Sequence, residues 1–425
     1  MKKKILVLNG IQRDRRELSR PQFKQYDIIF EETSLSWLST LCNVTQSQEV
    51  IAQKTQEALD VIVAKYANGA IDGLVSTDDY PANVMSAVLR EKLKIYGTSL
   101  LSILLCEHKY YARIYQMQVL KDIVPYYSLV KNNTVIDNTI PLPFIIKPVK
   151  STFSAGTHII RATHEIAEKI SQASKVHFLG VFNYFLKQYE LFEYDACNSI
   201  AEEFLQGYQT TVEGFIYNNE VTILGIVDSH FYPQTISFMR FEYPSSLQPD
   251  VQQRMGEDVA RVIKHMGLNN TLFNVECMYS PVTGAIKIIE INPRISSQFA
   301  DLFERVDGFN TYEIMIELSL GQRPIIKKRA GAFKIAASFV LRLFEDHIIT
   351  KLPSEGSIKQ LQTIFPDMHV EIFGDVGQKL SEDHKKDGHS FRYALINLGA
   401  YDQLDLMNRY DICKKLLDFR FEPVL

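Results

Sequence analysis

The chain has 425 residues, of which 46% are apolar and 23% are charged. This length is enough for two or three domains, each with a sizeable core. A net charge of −4 excludes the basic surface that is typical of nucleic-acid-binding proteins. The five cysteines are odd in number and scattered, so they form neither a disulfide framework nor a zinc pattern, which favours the reducing cytoplasm.

The N-terminus has only a short apolar run, residues 5–8, before charged residues follow. This run is too short for a secretory signal peptide. No segment approaches the ~18 consecutive apolar residues of a membrane-spanning helix. We therefore predict a cytoplasmic protein with neither a membrane nor a nucleic acid as its partner.

The first hundred residues alternate between strand and helix patterns, which predicts a parallel, doubly wound α/β sheet. No Gly-rich dinucleotide fingerprint follows the first strand, so NAD is not predicted. The predicted strands cover residues 3–10, 26–32 and 71–79, and the predicted helices cover residues 46–67 and 82–93.

The middle of the chain predicts a mixture of helices and antiparallel strands. Period-2 alternation and an Asn-Asn turn indicate antiparallel strands between residues 199 and 231. A helix at 109–123, a strand at 143–150, a helix from residue 163 and a helix at 250–266 complete this part.

After residue 330 the pattern changes to a small α+β unit. Residues 331–344 and 387–399 predict strands, and a last helix places Leu406, Tyr410, Cys413 and Leu417 on one side. In the first of these strands, one face is predicted to consist of Phe333, Ile335, Ala337, Phe339 and Leu341.

Residues 273–294, FNVECMYSPVTGAIKIIEINPR, read as a β-hairpin that folds about Thr283. In that register Glu276 opposes Glu290 and Asn274 opposes Asn292, with Cβ atoms ~5 Å apart. Like charges at this distance repel unless a cation lies between them. Two carboxylates and an amide oxygen are hard ligands that suit Mg²⁺. Arg294, just past the strand, can grip a phosphate oxygen bidentately.

Three further features precede the hairpin. Lys147 ends an apolar strand and enters a loop of small residues, STFSAG, where backbone N–H groups can approach an anion. Lys109 opens a helix, with Arg113 one turn later. Residues 201–207, AEEFLQG, form a short linker between strands whose backbone can pair with the edge of an adenine ring.

In this order, Lys109, FIIKPVKS, EEFLQG, VEC and IEINPR resemble the ATP-grasp superfamily of ATP-dependent carboxylate–amine ligases. The motifs HKYYAR, INPRISSQFADL and VEIFGDVGQKL…DGHSFRYALINLG are most similar to the L-amino-acid ligase branch, which makes dipeptides. The resemblance implies an ATP-grasp fold in three parts. These are an N-terminal doubly wound pre-grasp domain at 1–100, an ATP-grasp domain at 101–330 with its lid at about 120–205, and a C-terminal α+β cap at 331–425.

The resemblance also implies small-molecule substrates, an amino acid or other carboxylate plus an amine, and it leaves a homodimer open. The implied cofactors are ATP and Mg²⁺, with two ions bound and Mn²⁺ as an alternative. Lys147, Asn292 and Arg294 would form the catalytic set, and Glu276, Glu290 and Asn292 would hold the metal. ATP would be bound by Lys109, Lys147, Ser151, Ser154, Glu202, the backbone of Glu203 and Leu205, and Gln209.

Two departures from the family pattern matter. Gln209 stands where many relatives have a ribose-binding glutamate, although an amide can still bond a hydroxyl group. Gln298 stands where biotin-dependent carboxylases place a glutamate base, which argues against carboxylation. The substrate site is assigned to Ser296, Ser297 and Gln298 by their closeness to Arg294, and to Arg240 as a partner for a substrate carboxylate.

Three functions stay open at this point. The first is a peptide-forming ligase that joins a carboxylate to an amine through an acylphosphate. The second is a different ATP-grasp enzyme, either like carbamoyl phosphate synthase or transferring the acylphosphate to a non-amine nucleophile. The third is a nucleotide-binding subunit without activity, which the complete set of Lys, Glu, Asn and Arg residues disfavours.

Overall fold

The computed structural model describes residues 1–31, 47–130, 140–152, 155–173, 179–382, 386–387 and 390–424. Ser154 lies outside the described residues. The α-helices are α1 (Gln12–Leu18), α2 (Gln48–Tyr66), α3 (Ala82–Leu93), α4 (Leu100–Glu107), α5 (Lys109–Val119), α6 (Ile166–Ala173), α7 (Gly180–Leu186), α8 (Pro249–His265), α9 (Ala300–Asp307), α10 (Thr311–Ser319), α11 (Glu355–Ile364) and α12 (Gln403–Leu416).

The strands are β1 (Lys3–Leu8), β2 (Tyr26–Glu31), β3 (Gly73–Val75), β4 (Tyr127–Val130), β5 (Phe144–Pro148), β6 (His158–Ile160), β7 (Ser199–Glu203), β8 (Tyr208–Tyr217), β9 (Glu220–Phe231), β10 (Phe238–Tyr243), β11 (Thr271–Tyr279), β12 (Ile286–Asn292), β13 (Ile335–Leu343), β14 (His347–Lys351), β15 (His369–Ile372), β16 (Lys386–Asp387), β17 (Ser390–Ala400) and β18 (Arg420–Pro423). They form three larger sheets and the two-stranded pair β14–β18.

The N-terminal strands form a parallel sheet in the order β2-β1-β3, as the sequence predicted. Ile5, Leu6 and Val7 are fully buried, because the middle strand of a parallel sheet is covered on both faces. The carboxyl end of β3 leads into residues 76–81, a loop that carries Asp78 and Asp79. This loop is therefore directed to the edge of the sheet where ligands of such folds bind.

A second sheet, with the strand order β4-β7-β5-β6, is antiparallel. Its strand β5 lies between β6 and β7, so Lys147 stands on an inner strand of the sheet. Lys147 pairs in register with Ile200 of β7. The short segment 204–207 connects β7 to β8 and thus joins this sheet to the largest one. The linker was predicted at residues 201–207, but residues 201–203 belong to β7, so the connection between the two strands is shorter than predicted.

The largest sheet has the strand order β12-β11-β8-β9-β10-β13-β17-β15, with β16 paired to β17. The predicted Asn-Asn turn joins β8 to β9, and Asn218 and Asn219 have φ angles of 46° and 65°. Positive φ at both positions is typical of the tight turn that matches the twist of a hairpin. The hairpin β11–β12, which carries the predicted metal ligands, forms one edge of this sheet.

The C-terminal strands continue the same sheet, since β10 pairs with β13 and β13 pairs with β17. Ala337, Phe339 and Leu341 share a core with Leu406 and Cys413 of α12, which confirms the predicted apolar faces. The ladder between β10 and β13 crosses the predicted domain boundary at residue 330. The boundaries at 100 and 330 stay predictions. Within the described residues, every helix is too short or too polar to cross a bilayer.

Candidate active site

The hairpin β11–β12 has the register that the sequence predicted around its functional residues. Glu276 pairs with Glu290 and Asn274 pairs with Asn292, while a bulge shifts the register by one residue from Cys277 towards the turn. The two amides are hydrogen-bonded, because Asn292 Nδ2 donates to Asn274 Oδ1 at 3.2 Å. The hairpin thus presents two carboxylates and two amides on one face.

Lys109 and Lys147 approach this face from two other elements. Lys109 is the first residue of α5, and its Nζ lies 3.2 Å from Glu290 Oε1. Lys147 Nζ lies 2.6 Å from Glu202 Oε2, on the neighbouring strand β7. Both lysines are buried, with 4% and 7% of their surface exposed. Burial lowers the pKa of Lys147, and Glu202 opposes that effect.

Glu202 is held by two cations. Arg113 Nε donates to Glu202 Oε1 at 2.7 Å, and Lys147 contacts the other oxygen. Burial alone would raise the pKa of Glu202, but Arg113 and Lys147 outweigh it and lower this pKa to about 2. Arg113 also donates to the backbone oxygen of Ile289 at 2.7 Å, which ties α5 to the hairpin. The predicted adenine contact is therefore a fully paired carboxylate at the start of the hinge.

Glu276 has the opposite environment. Burial and the facing Glu290 raise its pKa to about 7, although Lys147 and Lys109 act against this shift. Gln209 Nε2 donates to Glu276 Oε2 at 2.9 Å, so the predicted ribose residue contacts a predicted metal ligand. Its ribose role stays a prediction. The described side chains leave part of the negative charge of this pair uncompensated. A divalent cation fits that deficit.

Arg294 and Lys150 share a carboxylate that comes from the N-terminal sheet. Arg294 Nε and Lys150 Nζ lie 3.3 and 3.5 Å from Asp79 Oδ1. Lys150 also lies 2.9 Å from Glu107 Oε2 at the end of α4. Burial raises the pKa of Asp79, but Lys150 and Arg294 outweigh burial and lower this pKa to about 2. The loop after β3 thus reaches the site that is predicted to bind phosphate.

Asp79, Glu107 and Lys150 were not predicted as site residues. Lys150 is 2% exposed and stands three residues after Lys147, so the sequence offered a second lysine in the same motif as its only signal. Glu107 stands two residues before Lys109, which opens the predicted helix. Ser151, which follows Lys150, is buried, and its phosphate role stays a prediction.

The predicted substrate residues contact the N-terminal and C-terminal parts of the chain. Ser297 Oγ accepts a hydrogen bond from Arg13 at 3.0 Å, and Gln298 Nε2 donates to Ser338 Oγ at 3.0 Å. Ser296 is half-buried beside them. Arg240 Nε lies 3.0 Å from Glu242, so its charge has a partner within the same strand. Ser297 and Gln298, which follow Arg294 in the chain, thus both make polar side-chain contacts. Arg240 instead forms an ion pair with Glu242 within β10.

A second acidic cluster lies outside this site. Glu17, Asp301 and Glu304 lie close enough together to share a cation. Arginines already pair with each of them, since Arg16 contacts Glu17 and Asp301 and Arg20 contacts Glu17 and Glu304. The cluster is therefore an ion-pair network that fastens α1 to α9.

Comparison with known proteins agrees with this geometry. Residues 140–302 match the family model of the ATP-grasp domain, so the chain contains an ATP-grasp domain. This range includes Lys147, the hinge and the whole hairpin. The resemblance to the ATP-grasp superfamily is thereby confirmed for this domain, whereas the resemblance to the L-amino-acid ligase branch stays a prediction.

Two curated relatives cover parts of the chain. The uncharacterized protein y4rH of Sinorhizobium fredii is 25% identical over 205 residues, which are 47% of this chain and 38% of that protein. The carbamoyl phosphate synthase large chain of Xylella fastidiosa is 30% identical over 102 residues, 24% of this chain and 9% of that one. The chain thus spans well under half the length of these relatives.

Solved structures match over nearly the whole chain. The L-amino acid ligase of Bacillus licheniformis superposes with a TM-score of 0.69 at 13% identity, covering 99% of both chains. The biotin carboxylase domain of 2-oxoglutarate carboxylase from Hydrogenobacter thermophilus, a dimer in complex with MgADP, ADP and bicarbonate, gives 0.63 at 14% identity over 99% and 91%. The protein has the ATP-grasp fold.

Proposed function

We propose that the chain is an ATP-dependent carboxylate–amine ligase that forms an amide or peptide bond through an acylphosphate and releases ADP and phosphate. The observation that carries this proposal is the convergence of oxygen ligands and cations on one face of the hairpin. Glu276, Glu290 and Asn292 supply the oxygens, and Lys109 and Arg294 flank them. The similarity to a solved L-amino acid ligase supports the same reaction class.

The nucleotide would lie between the four-stranded sheet and the hairpin. Lys109 and Lys147 are buried cations that can neutralise phosphate oxygens, because each would exchange part of a carboxylate contact for a phosphate contact. Ser151 starts the loop of small residues that would cover the phosphates. The adenine would pair with the backbone of Glu203 and Leu205, while Glu202 holds Lys147 in place.

Glu276, Glu290 and Asn292 would hold Mg²⁺, with room in the donor set for the two ions that the family pattern implies. The fit rests on the pairing of Glu276 with Glu290 across the hairpin, beside Asn292. Burial and the facing Glu290 raise the pKa of Glu276, which a bound cation would offset. When bound, the metal would neutralise charge on the phosphoryl group that is transferred. A neighbour in fold, the Hydrogenobacter enzyme, binds MgADP. Mn²⁺, which also takes carboxylate and carbonyl ligands, is an alternative.

The chemistry follows from positioning and charge. An oxygen of the substrate carboxylate attacks the γ-phosphorus of ATP, and ADP leaves. The amine nitrogen then attacks the acyl carbon, phosphate leaves, and the nitrogen loses a proton. Arg294 would hold the transferred phosphoryl group during both steps, since its guanidinium matches phosphate geometry. The loop after Lys150 would exclude water, which hydrolyses acylphosphates.

A second candidate function is bicarbonate chemistry like that of carbamoyl phosphate synthase. The partial match to that enzyme favours it. Gln298 argues against direct carboxylation, because an amide cannot act as a carboxylate base, and in the structure its amide donates to Ser338. The ligase therefore stays the first candidate.

A screen of amino-acid pairs tests the proposal. Purified protein is mixed with ATP, MgCl₂ and two amino acids, and released phosphate and the mass of the product are measured. We expect phosphate release that needs both amino acids and a product whose mass equals their sum less one water. Phosphate release that depends on bicarbonate and ammonia, without added amino acids, would instead establish the second candidate.

The nucleotide site is tested separately by thermal unfolding. ATP with Mg²⁺ should raise the melting temperature, since a ligand that binds only the native state stabilises it. Lys147→Ala should weaken this shift, whereas Lys169→Ala, which removes a half-exposed lysine of α6, should leave it unchanged. An equal shift with NAD in the wild type would move the nucleotide site to the N-terminal sheet.

A further inference from the structure

A row of three polar side chains crosses strands β8, β11 and β12. Asn274 pairs in register with Glu213 on one side and with Asn292 on the other. Residues directly opposite each other in a sheet project from the same face. Glu213, Asn274 and Asn292 are buried, with 1%, 6% and 6% of their surface exposed. The adjacent row on this face contains Thr211, Glu276 and Glu290.

The hydrogen bonds in the first row have a fixed direction. Asn274 Nδ2 donates to Glu213 Oε1, and Asn292 Nδ2 donates to Asn274 Oδ1. A carboxylate oxygen can only accept, so the amide nitrogen of Asn274 must face Glu213. The oxygen of Asn274 then faces Asn292 and selects its nitrogen. The amide oxygen of Asn292 is left to point away from the row.

We infer that Glu213 is a positioning residue which, through Asn274, fixes the orientation of the Asn292 amide so that its oxygen and not its nitrogen faces the metal site. This inference rests on the proposed function, in which Asn292 is a metal ligand. A flipped amide would present two N–H donors to a cation, which they repel. If Glu213 is protonated, the direction of the chain is kept when the proton is on Oε2, because Oε1 then still accepts from Asn274.

Residues behind metal ligands usually act in this way, and their loss costs ~10–100-fold in metal affinity. Glu213→Leu removes the acceptor that orients Asn274, so both amides become free to rotate. Glu213→Gln can keep an oxygen at the same position and should rescue the orientation. Asn274→Asp should also keep it, because a carboxylate at residue 274 can only accept from Asn292.

The test measures Mg²⁺ and ADP binding, which needs no turnover. Calorimetric titration of ADP is repeated at a series of MgCl₂ concentrations. It gives the Mg²⁺ concentration at which the increase in ADP affinity reaches half of its maximum. We expect Glu213→Leu to raise this concentration ~10-fold or more, and Glu213→Gln and Asn274→Asp to stay near or below the wild-type value. ADP binding in EDTA should be the same in all of them.

A matched control separates positioning from loss of stability. Glu31, at the end of β2, is also a buried carboxylate, 1% exposed, and accepts from Lys65 and Tyr66 of α2. Glu31→Leu should lower the melting temperature without changing the Mg²⁺ dependence. If Glu213→Leu does not fold, Asn274→Leu breaks the same chain at its middle link and replaces it.

Two results would overturn the inference. One is an unchanged Mg²⁺ dependence in the Leu variants, which would leave Glu213 a structural residue only. The other is a Glu213→Gln variant as weak as Glu213→Leu, which would show that the charge matters and not the acceptor. If no variant and no wild-type protein binds ADP more tightly with Mg²⁺, the proposed nucleotide and metal site itself fails, which is a separate outcome.

Discussion

Glu202 and Glu276 are both carboxylates in the same site, yet their surroundings differ in charge. Glu202 has one cation on each oxygen, Arg113 and Lys147, which lower its pKa to about 2. Glu276 faces another carboxylate and an amide donor, and its pKa is raised to about 7 by burial and by Glu290. Burial is common to both, so the neighbouring charges account for the difference.

The difference shows which part of the site is complete within the protein. Around Glu202 the chain supplies every charge that the carboxylate needs, which favours a fixed framework beside the adenine. Around Glu276 the cations among the described residues do not outweigh burial and the charge of Glu290, which favours a place for a metal that arrives with the nucleotide. A buried charge without partners is costly, and a ligand can offset that cost.

Neutralising Glu202 should have the largest effect on stability. Glu202→Gln leaves Arg113 and Lys147 buried without their counter-charge, and breaking a buried ion pair costs ~3–5 kcal/mol. Urea unfolding at neutral pH measures the loss. The matched change Glu276→Gln should alter stability by less than ~1 kcal/mol. An equal loss in both variants would show that the two environments do not differ as described.

Neutralising Glu290 should have the largest effect on catalysis. Glu290→Gln keeps the shape of the side chain but removes a charge from the proposed metal site. Turnover should fall by ~100-fold or more, the scale of one preorganised electrostatic group, while circular dichroism and melting temperature stay close to the wild type. Near-full ATP-dependent activity in the purified variant would remove the metal assignment.

The contributions of Glu213 and Glu202 to the free energy of unfolding should change with pH in opposite directions. Burial raises the pKa of Glu213 to about 8, well above the usual glutamate pKa of about 4.5. Its protonated form favours the folded state, so its contribution to stability is lost as pH rises from about 4.5 to 8. Glu202, with its pKa lowered to about 2, loses its contribution as pH falls from 4.5 towards 2.

The measurement is the unfolding free energy against pH, without Mg²⁺. Glu213→Gln should gain stability relative to the wild type as pH rises from 5 to 8, by on the order of 1–3 kcal/mol. The difference in unfolding free energy between the wild type and Glu202→Gln should become smaller as pH falls below 4, because Glu202 is then protonated in the wild type. Parallel curves for the wild type and Glu213→Gln would contradict the raised pKa.

The smallest predicted effect concerns the acceptor substrate. Gln298 lies beyond Arg294 and donates to Ser338, so added bulk there should exclude larger substrates first. Gln298→Trp should shift the kcat/KM ratio towards small amino acids by ~10-fold and leave the affinity for ATP unchanged. A ratio equal to that of the wild type would direct attention to Arg240 and its neighbours.

The sequence was sufficient to predict the hairpin register, because a turn cluster and alternating residues fix which positions face each other. It also predicted the parallel N-terminal sheet and the Asn-Asn turn. It did not predict the helices α4 and α7, whose sequences LLSILLCE and GVFNYFL are too short and too evenly apolar to show a helical period.

The missed site residues depend on contacts between distant parts of the chain. Asp79 meets Lys150 and Arg294 across 71 and 215 residues of sequence, which local patterns cannot reveal. In the sequence Lys150 resembles an ordinary surface lysine, and only the folded structure shows that it is buried. Gln209 was assigned to ribose by resemblance, but only the pairing of β8 with β11 places it beside Glu276.

The ladder between β10 and β13 has a practical consequence for protein engineering. Removing everything after residue 330 would strip β10 of its hydrogen-bonding neighbour and leave Arg240, Phe241 and Glu242 on an open edge. Open edges pair with other chains, so such a fragment should form aggregates and not a minimal enzyme. A chimera that exchanges C-terminal regions between relatives should therefore carry β13 and β17 as one insert, joined in the loop before Ile335.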